Sequence, residues 1–356
     1  MADEELDQLV ALLPAVLQSL EALGFIARNL NPPDFDAVME AAGMPDATLR
    51  AVRARPLPVT DRYAGARTRL AAATDGVLAA FDGLRAAAEE PDGLRAVFRA
   101  LRHVAPAMEA LYPLADGVPP VSRFFLDPAA RDDDALLARQ AEAGTPANTG
   151  VIHADDERGR RGGFSLYVPE TYTPDRAWPL VMALHGGSGN GRAFLWNWLP
   201  AARACGAIVV APTAIGPTWA LMGEDADTPN LERILALVRQ RWTVDPARLL
   251  LTGMSDGGTF CYVTGLLPAS PFTHLAPVAA SFHPMMAQFA DPDRLRRLPI
   301  HVVHGGLDWM FPVDVGRSAA RSLAAAGAAV TYREIDDLSH CYPREVNREL
   351  LSWLNA

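Results

Sequence analysis

A mostly parallel α/β sheet flanked by helices, preceded by a separate all-α region, is the architecture this 356-residue sequence predicts. Three observations carry it. Composition changes near residue 148, since all seven Trp and most of the Gly lie beyond it. Before that point, apolar residues recur at the 3–4 spacing of helix faces. After it, short apolar runs of strand length alternate with helical patterns, which is how a sheet covered on both faces reads. The expected units are therefore a helical region, 1–148, and an α/β region, 149–356.

In the first region Leu6, Leu9, Val10, Leu13, Val16, Leu17, Leu20 and Leu23 mark one helix face, which Pro14 is expected to kink. Leu70, Val77, Leu78, Phe81 and Leu84 mark a second, and the stripe from Leu94 through Val97, Phe98, Leu101, Val104 and Met108 to Leu111 a third. These stripes read as the core of a small bundle. A helix lying on a membrane needs a basic polar face, and these faces are largely acidic. Residues 132–148, with three successive Asp and an Ala-Gly-Thr-Pro-Ala-Asn run, read as a linker. Strands are expected at 150–155 and 163–168 around a charged turn, then at 179–184, 207–211, 248–251, 275–279, 300–303 and 330–335. Helices are expected at 192–204, 231–241, 257–267, 313–326 and 344–354.

Charge narrows the function. With 32 basic against 42 acidic residues the net charge is −10, which argues against a nucleic-acid surface. Every basic residue is Arg, so Schiff-base chemistry, pyridoxal phosphate anchoring and the P-loop lack their lysine. Cys205, Cys261 and Cys341 lie far apart without metal-like spacing, so neither a metal site nor a disulfide framework is expected. The chain starts acidic where a secretory signal would be basic, and no apolar run is expected to approach the ~20 residues of a membrane span. The expectation is a cytoplasmic protein without a membrane span.

The decisive segment is Gly253-Met254-Ser255-Asp256-Gly257-Gly258, a Gly-x-Ser-x-Gly placed after an apolar strand and before a helix. A serine there sits on a tight strand-to-helix turn with its hydroxyl exposed. The pattern alone is weak, and the strand–helix context sharpens it. A serine hydroxyl needs a neighbouring base, and in this arrangement the chain order is Ser, Asp or Glu, then His. His340, in the loop Leu338-Ser-His-Cys-Tyr-Pro, is the expected base, whereas His301 and His304 fall in or at the end of a strand and read as structural. Asp308, ending Ile300-His-Val-Val-His-Gly-Gly-Leu-Asp, is the expected acid, ahead of Asp314, Asp336 and Asp337. Oxyanion donors are expected from the backbone N–H of Asp256 and of Gly187, the latter in His185-Gly-Gly-Ser-Gly189. Trp219 either walls the pocket or packs, and Phe282 and His283 are candidates for the same cleft.

Taken in order, His-Gly-Gly-Ser-Gly, Gly-Met-Ser-Asp-Gly-Gly, His-Gly-Gly-Leu-Asp and Ser-His-Cys-Tyr-Pro resemble an α/β-hydrolase serine esterase. The branch they resemble is that of the phospholipase/carboxylesterase and polyhydroxybutyrate-depolymerase-like esterases. The resemblance covers about residues 150–356 and implies an α/β-hydrolase fold and action on small-molecule carboxylic esters or thioesters without a cofactor. An amidase, peptidase or acyltransferase using the same three residues is the runner-up, and a non-catalytic binding protein on this fold is the third reading. Residues 1–148 lie outside the family pattern, and the 281–299 segment is too short for a large cap. The helical region is therefore expected to serve as a lid, a homodimer contact or both, and the competing reading is an independent bundle on the 132–148 linker that binds a partner.

Overall fold

The computed structural model describes residues 4–55, 61–157 and 159–356; residues 1–3 of the acidic start lie outside them. The chain divides into two compact units, Met1–Asp133 and Asp134–Ala356. The division falls earlier than the expected 148/149. The stretch read as a linker holds a helix that belongs to the second unit, where the Gln140 amide donates to the Arg203 carbonyl at 3.3 Å.

The regular elements described in the first unit are all helical: α1 Glu4–Arg28, α2 Phe35–Ala42, α3 Ala47–Arg53, α4 Ala64–Ala87, α5 Gly93–Leu101, α6 Val104–Leu111 and α7 Pro119–Phe124, with 3₁₀ turns at Pro32–Asp34, Tyr112–Leu114 and Pro128–Ala130. Helix α1 runs through Pro14 without a break. One window of it has a mean hydropathy of 1.9 and is long enough to cross a membrane, which corrects the expectation that no run approaches that length. Its apolarity has a use inside the unit: Leu12, Val16, Leu20, Leu23 and Ile26 are buried, and Glu5 is buried in an ion pair with Arg67 of α4. The stripe expected to form one helix over 94–111 forms two. Pro106 has no N–H, and in a continuous helix its ring would clash with the Arg102 carbonyl. The chain therefore restarts at Val104, which puts Pro106 in a first turn. Asp46, fully buried before α3, accepts from Arg50 at 2.7 Å and from Arg85 of α4, tying these helices together. Burial works against its charge, but the two guanidinium groups outweigh it and hold the carboxyl below its usual range.

The second unit begins with α8 Asp134–Ala143 and continues β1 Gly150–Ala154, β2 Phe164–Val168, β3 Trp178–Leu184, α9 Gly191–Cys205, β4 Ile208–Pro212, α10 Asp227–Arg241, β5 Val244–Met254, α11 Asp256–Gly265 and β6 His274–Val278. Then come α12 Met285–Phe289, α13 Pro292–Arg296, β7 Pro299–Gly305, α14 Val313–Ala325, β8 Ala329–Ile335 and α15 Asn347–Leu354. Every expected strand forms. They make one eight-stranded sheet in the order β1-β2-β4-β3-β5-β6-β7-β8. Strand β2 runs antiparallel to β1 and β4, and the pairs from β4 to β8 are parallel. Strands β3 and β4 are buried along their whole length, as continuous apolar runs demand of a sheet with helices on both faces. The connection after β3 steps outward to β4, while β5 lies on the other side of β3. The loops after β3 and β5 therefore diverge, and this switch point opens a crevice at their C-terminal ends.

Candidate active site

Strand β5 ends in the turn that carries Ser255 at φ 56°, ψ −120°. A positive φ on a residue with a side chain is strained and persists only where the surroundings enforce it. Glycines do the enforcing. A Cβ on Gly257 would stand 2.5 Å from the Leu184 and His185 carbonyl oxygens, and one on Gly253 would stand 2.6 Å from Gly257 itself. The Ser255 N–H donates to the Val278 carbonyl at 2.9 Å, pinning the turn to the end of β6. The hydroxyl is thus held at the N-terminus of α11, where negative charge is favoured.

His340 and Asp308 reach this hydroxyl from the loops after β8 and β7. His340 Nε2 lies 3.0 Å from Ser255 Oγ, and Nδ1 lies 2.9 and 3.0 Å from the two Asp308 oxygens. All three side chains are buried. An ionised carboxylate only accepts, so the network assigns the imidazole proton to Nδ1 and leaves Nε2 to accept from the serine. Asp308 Oδ1 also accepts from the N–H groups of Met310 and Phe311 at 2.9 and 2.8 Å. The rival carboxylates are elsewhere: Asp314 pairs with Arg317 at 3.1 Å, and Asp336 and Asp337 are exposed.

His304 does more than its place at a strand end suggested. Its Nε2 donates to the Phe311 carbonyl at 2.8 Å and stands 3.4 Å from Asp308 Oδ2. The ring is buried against Gly316, where a Cβ would come within 2.7 Å of it. His304 thus fixes the turn that carries Asp308. The signal in the sequence was its spacing, four residues before Asp308 at the end of β7.

The glycine loop after β3 lies against the nucleophile turn. A Cβ on Gly186 would be 3.6 Å from the Ser255 Cβ, and one on Gly187 would be 2.8 Å from Asp256 Oδ2. The loop is held from behind. Ser188 N–H donates to the Pro217 carbonyl at 3.2 Å, and the Thr218 hydroxyl donates to Asp256 Oδ2 at 2.5 Å. His185 Nε2 accepts from the Ala214 N–H at 3.1 Å, so its proton sits on Nδ1 and is donated to the Gly186 carbonyl at 2.6 Å. Burial pushes this imidazole down to about 4, against the Gly186 bond that favours its charge and with a smaller push from Arg161. It is therefore a neutral prop at ordinary pH.

Trp219 is not a pocket wall. It is 2% exposed, stacks on Phe260 at 5.4 Å and donates its indole N–H to the His185 carbonyl at 2.7 Å, which makes it part of the support under the glycine loop. Phe282 is half-buried and edge-on to Tyr262 at 4.9 Å. His283 is exposed, and its Nδ1 accepts from the Met285 N–H at 3.2 Å at the start of α12. Among the described residues no group of three or more His, Cys, Asp or Glu is arranged to hold a metal ion.

No family model matches the chain. Over 159 residues it is 28% identical to the bifunctional acetylxylan esterase/xylanase XynS20E of Neocallimastix patriciarum, a match that covers 43% of this chain and 22% of that protein. The chain thus spans about a fifth of that relative's length. Among solved structures it is similar to a thermostable esterase, with TM-score 0.46 and 21% identity over 58% of this chain and 62% of that one. It is also similar to a truncated carbohydrate esterase from gut microbiota, with TM-score 0.49 and 12% identity over 59% of this chain and 98% of that one. A ferulic acid esterase gives TM-score 0.48 and 17% identity over 57% and 95%. The second unit has the α/β-hydrolase fold, a conclusion that its own strand order and its serine turn carry.

Proposed function

We propose that the second unit is a serine carboxylester hydrolase working through an acyl-enzyme. The observation that carries this reading is the unbroken hydrogen-bond chain from Asp308 through His340 to Ser255, at 2.9 and 3.0 Å. Ser255 Oγ attacks the ester carbonyl carbon while its proton passes to His340 Nε2. Asp308 holds the ring in the right tautomer and stabilises the imidazolium. The carbonyl π pair moves onto oxygen, which accepts hydrogen bonds from the N–H groups of Gly187 and Asp256. When the intermediate collapses, the bond to the alcohol oxygen breaks and that oxygen takes the proton from Nε2. Water then repeats the sequence on the acyl-serine, and no step calls on a metal or a cofactor.

The test is labelling by a fluorophosphonate, with the adduct located by mass spectrometry, beside turnover of simple acetate esters and matched acetamides. The expected result is an adduct on Ser255 and ester turnover well above amide turnover. Folded protein that neither labels nor hydrolyses esters sinks the reading; comparable amide turnover moves it to the amidase class.

A further inference from the structure

We propose that Trp309, backed by Leu307 and Met310, is the wall against which the alcohol part of the substrate binds, and that this alcohol is apolar, aryl or alkyl rather than a sugar. The inference rests on the ester-hydrolase reading and names the substrate class of the same site. Its first step is the bookkeeping of one proton. His340 Nε2 must pass its proton to the leaving oxygen, so the alcohol lies within hydrogen-bond reach of that nitrogen. An exposed side chain that packs on the His340 ring therefore stands close to where the alcohol leaves.

Two aromatic rings meet that ring edge-on, Phe311 at 5.4 Å and Trp309 at 6.1 Å between centroids. Their circumstances differ. Phe311 is half-buried and spends its N–H on Asp308 and its carbonyl on His304, so it is a fixture of the turn. Trp309 is 39% exposed, with Leu307 at 47% and Met310 at 44% beside it. Three large, partly exposed apolar side chains thus fall within one short turn, and apolar surface gathered in this way marks a ligand contact. The backbone beneath them is fixed. Asp308 Oδ1 accepts from Met310 and Phe311, and His304 anchors the far end, so the wall is in place before substrate arrives.

The experiment holds the acyl group constant as acetyl and varies the alcohol through methyl, butyl and benzyl acetate and an acetylated methyl glycoside, followed by pH-stat. A parallel series holds methanol constant and lengthens the acyl chain. Wild-type protein should favour benzyl over methyl acetate in kcat/KM. In Trp309→Ala that ratio should fall on the order of tenfold, the size of one well-buried apolar contact, and Trp309→Phe should restore most of it. The methanol series should keep its rank order in both variants. A uniform loss across all alcohols would make Trp309 a support for His340 only and overturn the proposal. So would a loss that follows the acyl chain, or a wild-type preference for the glycoside. Protein that fails to label at Ser255 and hydrolyses none of these esters refutes the parent reading instead, so the two failures are told apart.

Discussion

Each buried polar group at the nucleophile has a defined partner, and most of the chemistry follows from which atoms are left over. Ser255 is held with φ 56° by glycine-lined contacts, His340 is oriented by a carboxylate with two further backbone donors, and His185 is spent as a neutral prop. Ser255→Ala and His340→Ala should each lower kcat on the order of 10⁴–10⁶, and the double variant should lose little more, because the two act as a unit. Steady-state kinetics on one ester checks this, and additive losses would argue against a shared step. Asp308→Asn should be severe as well, since the amide favours the wrong imidazole tautomer. His185 carries a second prediction. Its folded value near 4 lies below its ordinary 6.5, so between those pH values the unfolded chain binds the extra proton and the folded unit does not. Stability is therefore full above about 6.5 and falls as pH drops toward 4, by about 3 kcal/mol in all. All seven Trp lie in the second unit, so urea unfolding followed by Trp fluorescence reports on it selectively. Across that window His185→Gln should show a flatter pH dependence of its midpoint, and an unchanged slope would reject the assignment. At this scale the sequence was most legible where chemistry is local in the chain. Gly253, Ser255 and Gly257 are neighbours, and Asp308 and His340 follow in chain order. Thr218 and Trp309 were not legible, because each matters through a contact made only by the fold, and His304 showed only as a spacing of four residues before Asp308. Trp219 was left open for the same reason, since its indole partner is 34 residues away.

At the scale of elements, periodicity carried the strands and the long helices but not the breaks and short pieces. Inner strands such as β3 and β4 are buried along their length and read as apolar runs, whereas the edge strands β1 and β8 are mostly half-buried and show as short apolar stretches between turn residues. Helices α2, α3, α7, α12 and α13 have five to eight residues, too few for a stripe to show a period. Helix α8 was hidden by its acidic, Gly- and Pro-flanked setting. What joins such short helices is side-chain chemistry, and Asp46 is the clearest case. It joins α3 to α4 through Arg50 and Arg85, both of which keep part of their surface in water. Asp46→Asn leaves two guanidinium groups short of a carboxylate and should cost the helical unit about 2 kcal/mol, discounted for that exposure. The pH dependence has a definite sign. The folded carboxyl titrates below its ordinary 3.8, so its contribution is complete above that value and is lost as pH falls through the lower folded one. Amide hydrogen exchange in α3 and α4 should show protection falling between pH 5 and pH 3 in the wild type. Asp46→Asn should start from protection lower by roughly tenfold or more at pH 5 and change less on acidification. Equal protection in the two proteins at pH 5 would remove Asp46 from the account.

For the whole molecule, composition changes near residue 148, whereas the two compact units divide between Asp133 and Asp134. Composition registers where Trp and Gly become frequent, whereas a unit's edge is set by which backbone and side-chain groups are spent on which side. The 134–149 segment spends its groups on the α/β unit. The Gln140 amide donates to the Arg203 carbonyl at 3.3 Å, and the Asn148 carbonyl accepts from the Trp242 indole at 2.9 Å. Thr149, at the start of β1, is buried, and its hydroxyl donates to the Pro146 carbonyl at 2.7 Å. A fragment beginning at Gly150, where composition alone would cut, removes all of these hydrogen bonds, among them the one that holds the Trp242 indole N–H. A fragment beginning at Asp134 keeps them. Each buried polar group left unpaired costs about 1–3 kcal/mol, so together they are worth several degrees in Tm for a unit of this size. The Asp134 fragment should unfold several degrees above the Gly150 fragment by scanning calorimetry, with both carrying the fluorophosphonate label on Ser255 while folded. Equal melting temperatures would show that 134–149 is an appendage after all, and that the change in composition had marked the true seam.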